Sequence, residues 1–293
     1  MDARLLTILN NRVQNYPHAL ARQFPNILSK LMELWDSPAI DDYFVELMVD
    51  NRGSRAGFPE EVASDIMYLS MVSSRQIHQG EVDLWADVPD VVRSRIEQSG
   101  LSFTPLGLIQ AAEYGNRELV ELFLGAGMHA NVYDERKWTP LMISAFNGNL
   151  EMVALLLDNG AVVRHRDKAG YTALHWAAFN GYSKALELLL SRQADVDARS
   201  KHGWTPLLQA ATRGHLSSSV ILIGCGADVN TASDDGWTPL HKAAANGHLA
   251  TVKMLLDKGA DPGARLGDGT TPQEMALKNH HEHVVAVFSG KAC

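Results

Sequence analysis

The sequence predicts an all-α solenoid of about six stacked units behind a small, separate helical region. Three observations carry this. One frame recurs every 33 residues: Lys137-Trp138-Thr139-Pro140-Leu141, Gly170-Tyr171-Thr172-Ala173-Leu174, Gly203-Trp204-Thr205-Pro206-Leu207 and Gly236-Trp237-Thr238-Pro239-Leu240. A glycine holds the same register at Gly115, Gly148, Gly181, Gly214 and Gly247, with His280 in the last slot. Between the frames, apolar rows such as Val153/Leu156/Leu157, Leu186/Leu189/Leu190 and Val252/Leu255/Leu256 recur at helical spacing. A fixed period of this length means units that bury their faces only by stacking.

Residues 1–100 lack the period and read as helices. Leu5, Leu6, Ile8, Leu9 and Val13 share one face before Pro17. Leu20, Phe24, Ile27, Leu28, Leu31, Met32 and Leu34 form a second, interrupted by Pro25. Ser37-Pro38 is an N-cap followed by proline, ahead of Ile40, Tyr43, Phe44, Leu47 and Met48. Residues 51–59 are rich in turn formers, and Glu60-Glu61 suit the positive end of the helix that follows. Val91, Val92 and Ile96 mark a last helix that closes at Gly100. Arg52, Gly53, Arg55 and Gly57 lack both a preceding strand and a following Lys-Ser/Thr, so they read as a solvated loop rather than a phosphate cradle.

In the array, Thr-Pro opens each inner helix for a physical reason. The hydroxyl caps free amides, and proline's fixed φ and missing N–H suit the first turn. Gly160, Gly226 and Gly259 end outer helices in a left-handed conformation. Gln193 holds that stop in the third unit, and Lys137 stands where its sisters have glycine. Ser219 fills the slot that Val252 holds one unit on. The first unit lacks Thr-Pro at its 33-residue place and reads Leu106-Gly107-Leu108-Ile109-Gln110-Ala111-Ala112, a capping unit. The last carries polar Gln273 and Glu274 on the face of a C-terminal cap.

The Thr-Pro-Leu-His frame, the period and the Gly-Ala-Asp-Val-Asn endings resemble ankyrin repeats over residues 101–290. The resemblance implies an ankyrin-repeat solenoid of about six helix-turn-helix units with short β-hairpin fingers, preceded by the 1–100 helical domain or extended cap. It implies a non-catalytic scaffold or adaptor that grips a partner protein with its finger tips and concave inner-helix face. It also places His175 and His241 in structural hydrogen bonds between repeats. Carried over by position, the groove-facing residue before Thr-Pro is Trp138, Tyr171, Trp204 and Trp237. The inner-helix slots add Ile143 and Trp176, and the slots two before the repeat glycine add Phe146 and Phe179. Aromatics make up only 7% of the chain, so four in register is a selected pattern. Such a stripe suits an interface, where Trp and Tyr dominate binding energy; rings packed to stiffen the stack are the competing reading.

Composition narrows the partners. The net charge is −8, and no segment is a basic run, so nucleic acid is not expected. Residues 1–100 hold nine basic and fifteen acidic side chains, most of that excess, which suits a partner with a basic or apolar surface. Two cysteines, Cys225 and Cys293, make neither a disulfide framework nor a metal motif and fit a cytoplasmic or nuclear location. No signal peptide, membrane span, metal or cofactor is expected, and the array is expected to be monomeric. His280, His281 and His283 read as a polar end. The alternative is an enzyme or regulator in which the N-terminal helices act and the repeats choose the target. Against it, those hundred residues hold two histidines, no cysteine and no nucleophile–base grouping.

Overall fold

The structure is a computed structural model in which residues 88–289 are described. The helices expected over residues 1–87 and the Arg52–Gly57 loop lie outside them. The chain divides into two compact units, residues 1–88 and 89–293.

Among the described residues there are thirteen helices and no strand. The first, α1 (Asp90–Gln98), buries Ile96 and packs on α3, with an Arg95–Glu118 ion pair between them. The rest come in pairs: α2 (Pro105–Glu113) with α3 (Arg117–Gly125), α4 (Pro140–Asn147) with α5 (Leu150–Asp158), and α6 (Ala173–Asn180) with α7 (Ser183–Ser191). Then follow α8 (Pro206–Arg213) with α9 (Leu216–Gly224), α10 (Pro239–Ala245) with α11 (Leu249–Asp257), and α12 (Pro272–Lys278) with α13 (Glu282–Phe288).

The even-numbered helices form an inner row and their partners an outer row. Inner helices begin as the capping chemistry requires: the hydroxyls of Thr139, Thr205, Thr238 and Thr271 accept the N–H three residues on. Buried alanines at 177/178, 210/211 and 243/244 bring these helices closer together than the leucine-rich outer ones. Helix separation follows side-chain size, so the stack bends with its inner row on the concave side. The outer row is sealed by a column of fully buried side chains, Val120, Val153, Leu186, Ser219 and Val252.

The repeat glycine is required twice over. Gly181 has φ 76°, and a Cβ there would lie 2.6 Å from the His215 ring of the next unit. His248 covers Gly214, His281 covers Gly247 and Tyr182 covers Gly148 in the same way. Each of those histidines also donates from Nε2 to a carbonyl of the preceding unit: His215 to Phe179 (3.0 Å), His248 to Thr212 (3.0 Å), His281 to Ala245 (3.1 Å). Asparagine amides make a parallel series: Asn147 to the carbonyl of Glu113, Asn180 to Phe146, Asn246 to Thr212 and Asn279 to Ala245. Arg213 interrupts that column.

Several departures take the form the sequence indicates. Gln193 and His280 adopt positive φ of 64° and 61° in glycine slots, and Lys137, whose finger turn was expected to differ from its sisters, does the same at 62° and keeps their turn bonds. Ser219 is fully buried and donates its hydroxyl to the His215 carbonyl (3.0 Å).

Two expectations change. The first unit does have a Thr-Pro cap, Thr104-Pro105, displaced two residues upstream of the period. There the Ser102 carbonyl lies so close to α2 that a Cβ on Gly107 would meet it at 2.0 Å. The expected β-hairpin fingers are tight turns, each closed by two backbone bonds, such as Asp167 N–H to the Tyr171 carbonyl (2.9 Å) and Gly170 N–H to the Asp167 carbonyl (2.9 Å). Neighbouring fingers touch through isolated bonds such as Lys168 N–H to the Arg136 carbonyl (2.9 Å). Bonds confined to the turn make no strand ladder beyond it.

Candidate functional site

The finger turns position the aromatic residues. One side-chain oxygen in each turn accepts the N–H four residues on: Asp134 from Trp138 (2.8 Å), Asp167 from Tyr171 (2.9 Å), Ser200 from Trp204 (3.1 Å) and Ser233 from Trp237 (3.1 Å). Each of those four backbones returns its carbonyl to the N–H of the same turn residue. The aromatic backbone is thus clamped on both sides before its side chain meets anything. Sequence reasoning passed over this Asp/Asp/Ser/Ser column, although its constant four-residue offset from the aromatics was there to be read.

The rings divide into two groups. Trp176 is the hub of the first. Its ring lies 4.6 Å from Trp138, 5.7 Å from Phe146, 5.3 Å from Tyr171 and 6.2 Å from Phe179, centroid to centroid. Trp138 and Phe146 touch at 5.5 Å. These tilted and edge-on contacts are the favourable aromatic geometries. All five side chains are half-buried, with part of each left open to solvent. Trp204 and Trp237 form the second group without a ring contact to the first. Lys242 joins them: its Nζ is 4.7 Å from the Trp204 centroid and 3.6 Å from that of Trp237. The expected four-rung ladder is therefore a five-ring cluster followed by a pair bridged by a cation. Ile143, placed in a contact slot by register, is only 4% exposed and belongs to the core rather than the surface.

Cations cover other rings as well. The Arg136 guanidinium sits 4.7 Å from the Trp138 centroid and pairs with Asp134. The Arg213 guanidinium sits 4.8 Å from Phe179. Burial holds the Lys242 ammonium below the ordinary lysine range, partly countered by the nearby Asp235 carboxylate. The Trp176 indole N–H is buried and makes no hydrogen bond of normal geometry, although the Asp167 carboxyl lies near enough to feel it. Burial raises the Asp167 carboxyl above its usual range, and the N–H groups of Tyr171, Ala169 and Gly170 partly offset this.

The histidines of the inner row are structural. Nδ1 of His175 takes the Thr172 N–H (3.1 Å), which leaves Nε2–H to donate across to the Trp204 carbonyl (3.0 Å). His241 repeats this with Thr238 and, at 3.2 Å, the Thr270 carbonyl. Burial pushes His175 down to about 4. His281 and His283 spend their Nε2–H groups on the carbonyls of Ala245 and Gly247. Among the described residues no group of three or more His, Cys, Asp or Glu side chains converges on a metal position. None of the described helices is long and apolar enough to cross a membrane.

The geometry is that of an α-solenoid built from one repeated helix pair. The family of ankyrin repeats, in a three-copy form, matches residues 108–200 and again 194–266, more than half of the chain. The chain belongs to the ankyrin-repeat family, whose repeats are in general protein–protein interaction modules. No curated protein matches the chain.

Proposed function

We propose that this chain is a non-catalytic scaffold or adaptor that binds a partner protein on the concave inner-row face. It acts as a monomeric array of six units over residues 101–290, with α1 extending the N-terminal cap. The observation that carries the reading is the half-buried cluster of Trp138, Phe146, Tyr171, Trp176 and Phe179. A ring that stays partly open keeps area for a partner, and its backbone is already clamped, so little order is lost on binding. Trp204 and Trp237 extend the surface beyond the cluster. Ile143 supports the face from below. The partner contributes an apolar segment to the cluster, and the protein works in the cytoplasm or nucleus.

The test is a Trp176→Ala/Phe179→Ala double variant. Affinity capture from source-cell lysate should lose the partner, by about 30-fold or more in affinity, since interface aromatics cost roughly 2 kcal/mol or more when truncated. The circular-dichroism melt should move only slightly. Intact capture with a melt lowered by many degrees would make the rings struts of the stack and end the proposal.

A further inference from the structure

The column before the repeat glycine reads Asn147, Asn180, Arg213, Asn246, Asn279. Every asparagine spends its amide on a carbonyl of the preceding unit. At Arg213 that bond is missing, and the Phe179 carbonyl receives only His215. The scaffold loses an interaction there, and what replaces it is a guanidinium laid on Phe179, at the edge of the five-ring cluster. One unit further, Lys242 stands on the inner helix in the slot that holds Ile143, Trp176 and Gln209 elsewhere. Its ammonium lies between Trp204 and Trp237.

Neither cation makes an ion pair among the described residues, whereas Arg136, Arg192 and Arg199 each have a carboxylate within bonding distance. A cation on a ring keeps its charge, and its N–H groups are not spent on an acceptor by that contact. The acidic excess of the whole chain, from which a basic partner was expected, lies mainly in residues 1–100. Beside the rings, by contrast, stand two cations outside any such ion pair, Arg213 and Lys242, with the Asp235 carboxylate near the second.

We infer that the partner segment is acidic: an extended peptide sets an apolar or aromatic side chain on the Trp138–Trp176–Phe179 cluster and places carboxylates against Arg213 and Lys242. This rests on the concave face being the binding surface. Adjacent inner helices lie about 10 Å apart, and an extended chain advances about 3.3 Å per residue. The two carboxylates therefore stand about three residues apart. Arg213 forms charge-assisted, bidentate bonds to one, and Lys242 attracts the other as a point charge.

The probe is a display library of random dodecapeptides, selected on the full chain. Arg213→Asn/Lys242→Gln and Trp176→Ala/Phe179→Ala variants are measured alongside, with melts to check folding. Arg213→Asn restores the asparagine column, so the first variant should melt at or above the wild type. Wild-type winners should combine Asp or Glu with an apolar residue. They should bind the Arg213→Asn/Lys242→Gln variant at least tenfold more weakly, and the loss should shrink at high salt. Winners that are neutral or rich in Lys and Arg would overturn the inference, as would acidic winners that bind both proteins equally. So would tighter binding of a 15-nucleotide oligo-dT, since a cationic aromatic face also suits single strands. Acidic winners indifferent to the Trp176/Phe179 variant would leave the charge inference standing and sink the aromatic reading under it.

Discussion

At the scale of single residues, the array tolerates backbone strain where glycine is absent. Lys137, Gln193 and His280 sit near φ 60°, where a side chain costs roughly 1–2 kcal/mol against the following carbonyl. Glycine removes that cost but loses about 0.5–1 kcal/mol more freedom on folding. Gln193 is exposed, so no packing is lost with it. Gln193→Gly should therefore raise stability by about 0.5–1 kcal/mol, read as a higher urea midpoint with unchanged slope. A lower midpoint would mean that the glutamine side chain contributes something the geometry does not reveal. These positions were legible in the sequence because a period makes an outlier visible against its sisters. The Asp134, Asp167, Ser200 and Ser233 clamp is harder to see, because mixed Asp and Ser in a polar turn looks like ordinary loop composition and only the constant offset from the aromatics marks it.

Among the elements, α9 is the weak one. Ser219 occupies a fully buried place that Val153, Leu186 and Val252 fill in other units. Its hydroxyl is satisfied only by turning back on the His215 carbonyl, a bond that competes with helix geometry. Ser219→Val should stabilise the chain by about 1 kcal/mol, by the scale of large-to-small core changes. Amides of wild-type α9 should exchange faster than those of α7 and α11, and Ser219→Val should slow them. Uniform protection across the three helices would contradict this. Helix positions followed from the sequence almost directly, since Thr-Pro caps and glycine stops act locally. The displaced start of α2 did not, because Thr104-Pro105 breaks the period that guides the eye. Nor did the split of the aromatic stripe: register assigns residues to a face, but ring contacts depend on side-chain rotation. Register likewise put Ile143 on the surface, although the fold buries it.

Over the whole molecule, buried neutral histidines make stability depend on pH. Burial holds His165 and His175 at about 4 and lowers His129, His215 and His241. An unfolded histidine titrates near 6.5, so below that pH the unfolded chain binds more protons and stability falls. The contribution is intact above about pH 7 and is lost progressively towards pH 4. For each of the two held at about 4, His165 and His175, the loss from pH 7 to pH 5 is on the order of 2 kcal/mol. The raised carboxyls of Asp167 and Asp197 act in the opposite sense, at the acid end of that range. Urea midpoints measured from pH 7 to pH 5 should fall steadily, and His175→Gln should flatten the slope. A flat wild-type profile would count against neutral buried imidazoles.

The rings and amides that close the junctions point both ways: on the inner row His175 and His241 reach forward to the Trp204 and Thr270 carbonyls of the next unit. His215, His248 and His281 reach back to the unit before them, and so do Asn180, Asn246 and Asn279. The stack therefore has a grammar of word order, in which one set of positions hands donors to the preceding unit and another hands them to the following one. Copying an internal block of 33 residues introduces no junction of a new kind, so the array can lengthen by duplication. Trimming is asymmetric. Removing α12 and α13 strips the Ala245 carbonyl of both its partners and bares Gly247, while removing α2 and α3 leaves the Asn147 amide without the Glu113 carbonyl, so a trimmed stack bares acceptors at one end and a donor at the other.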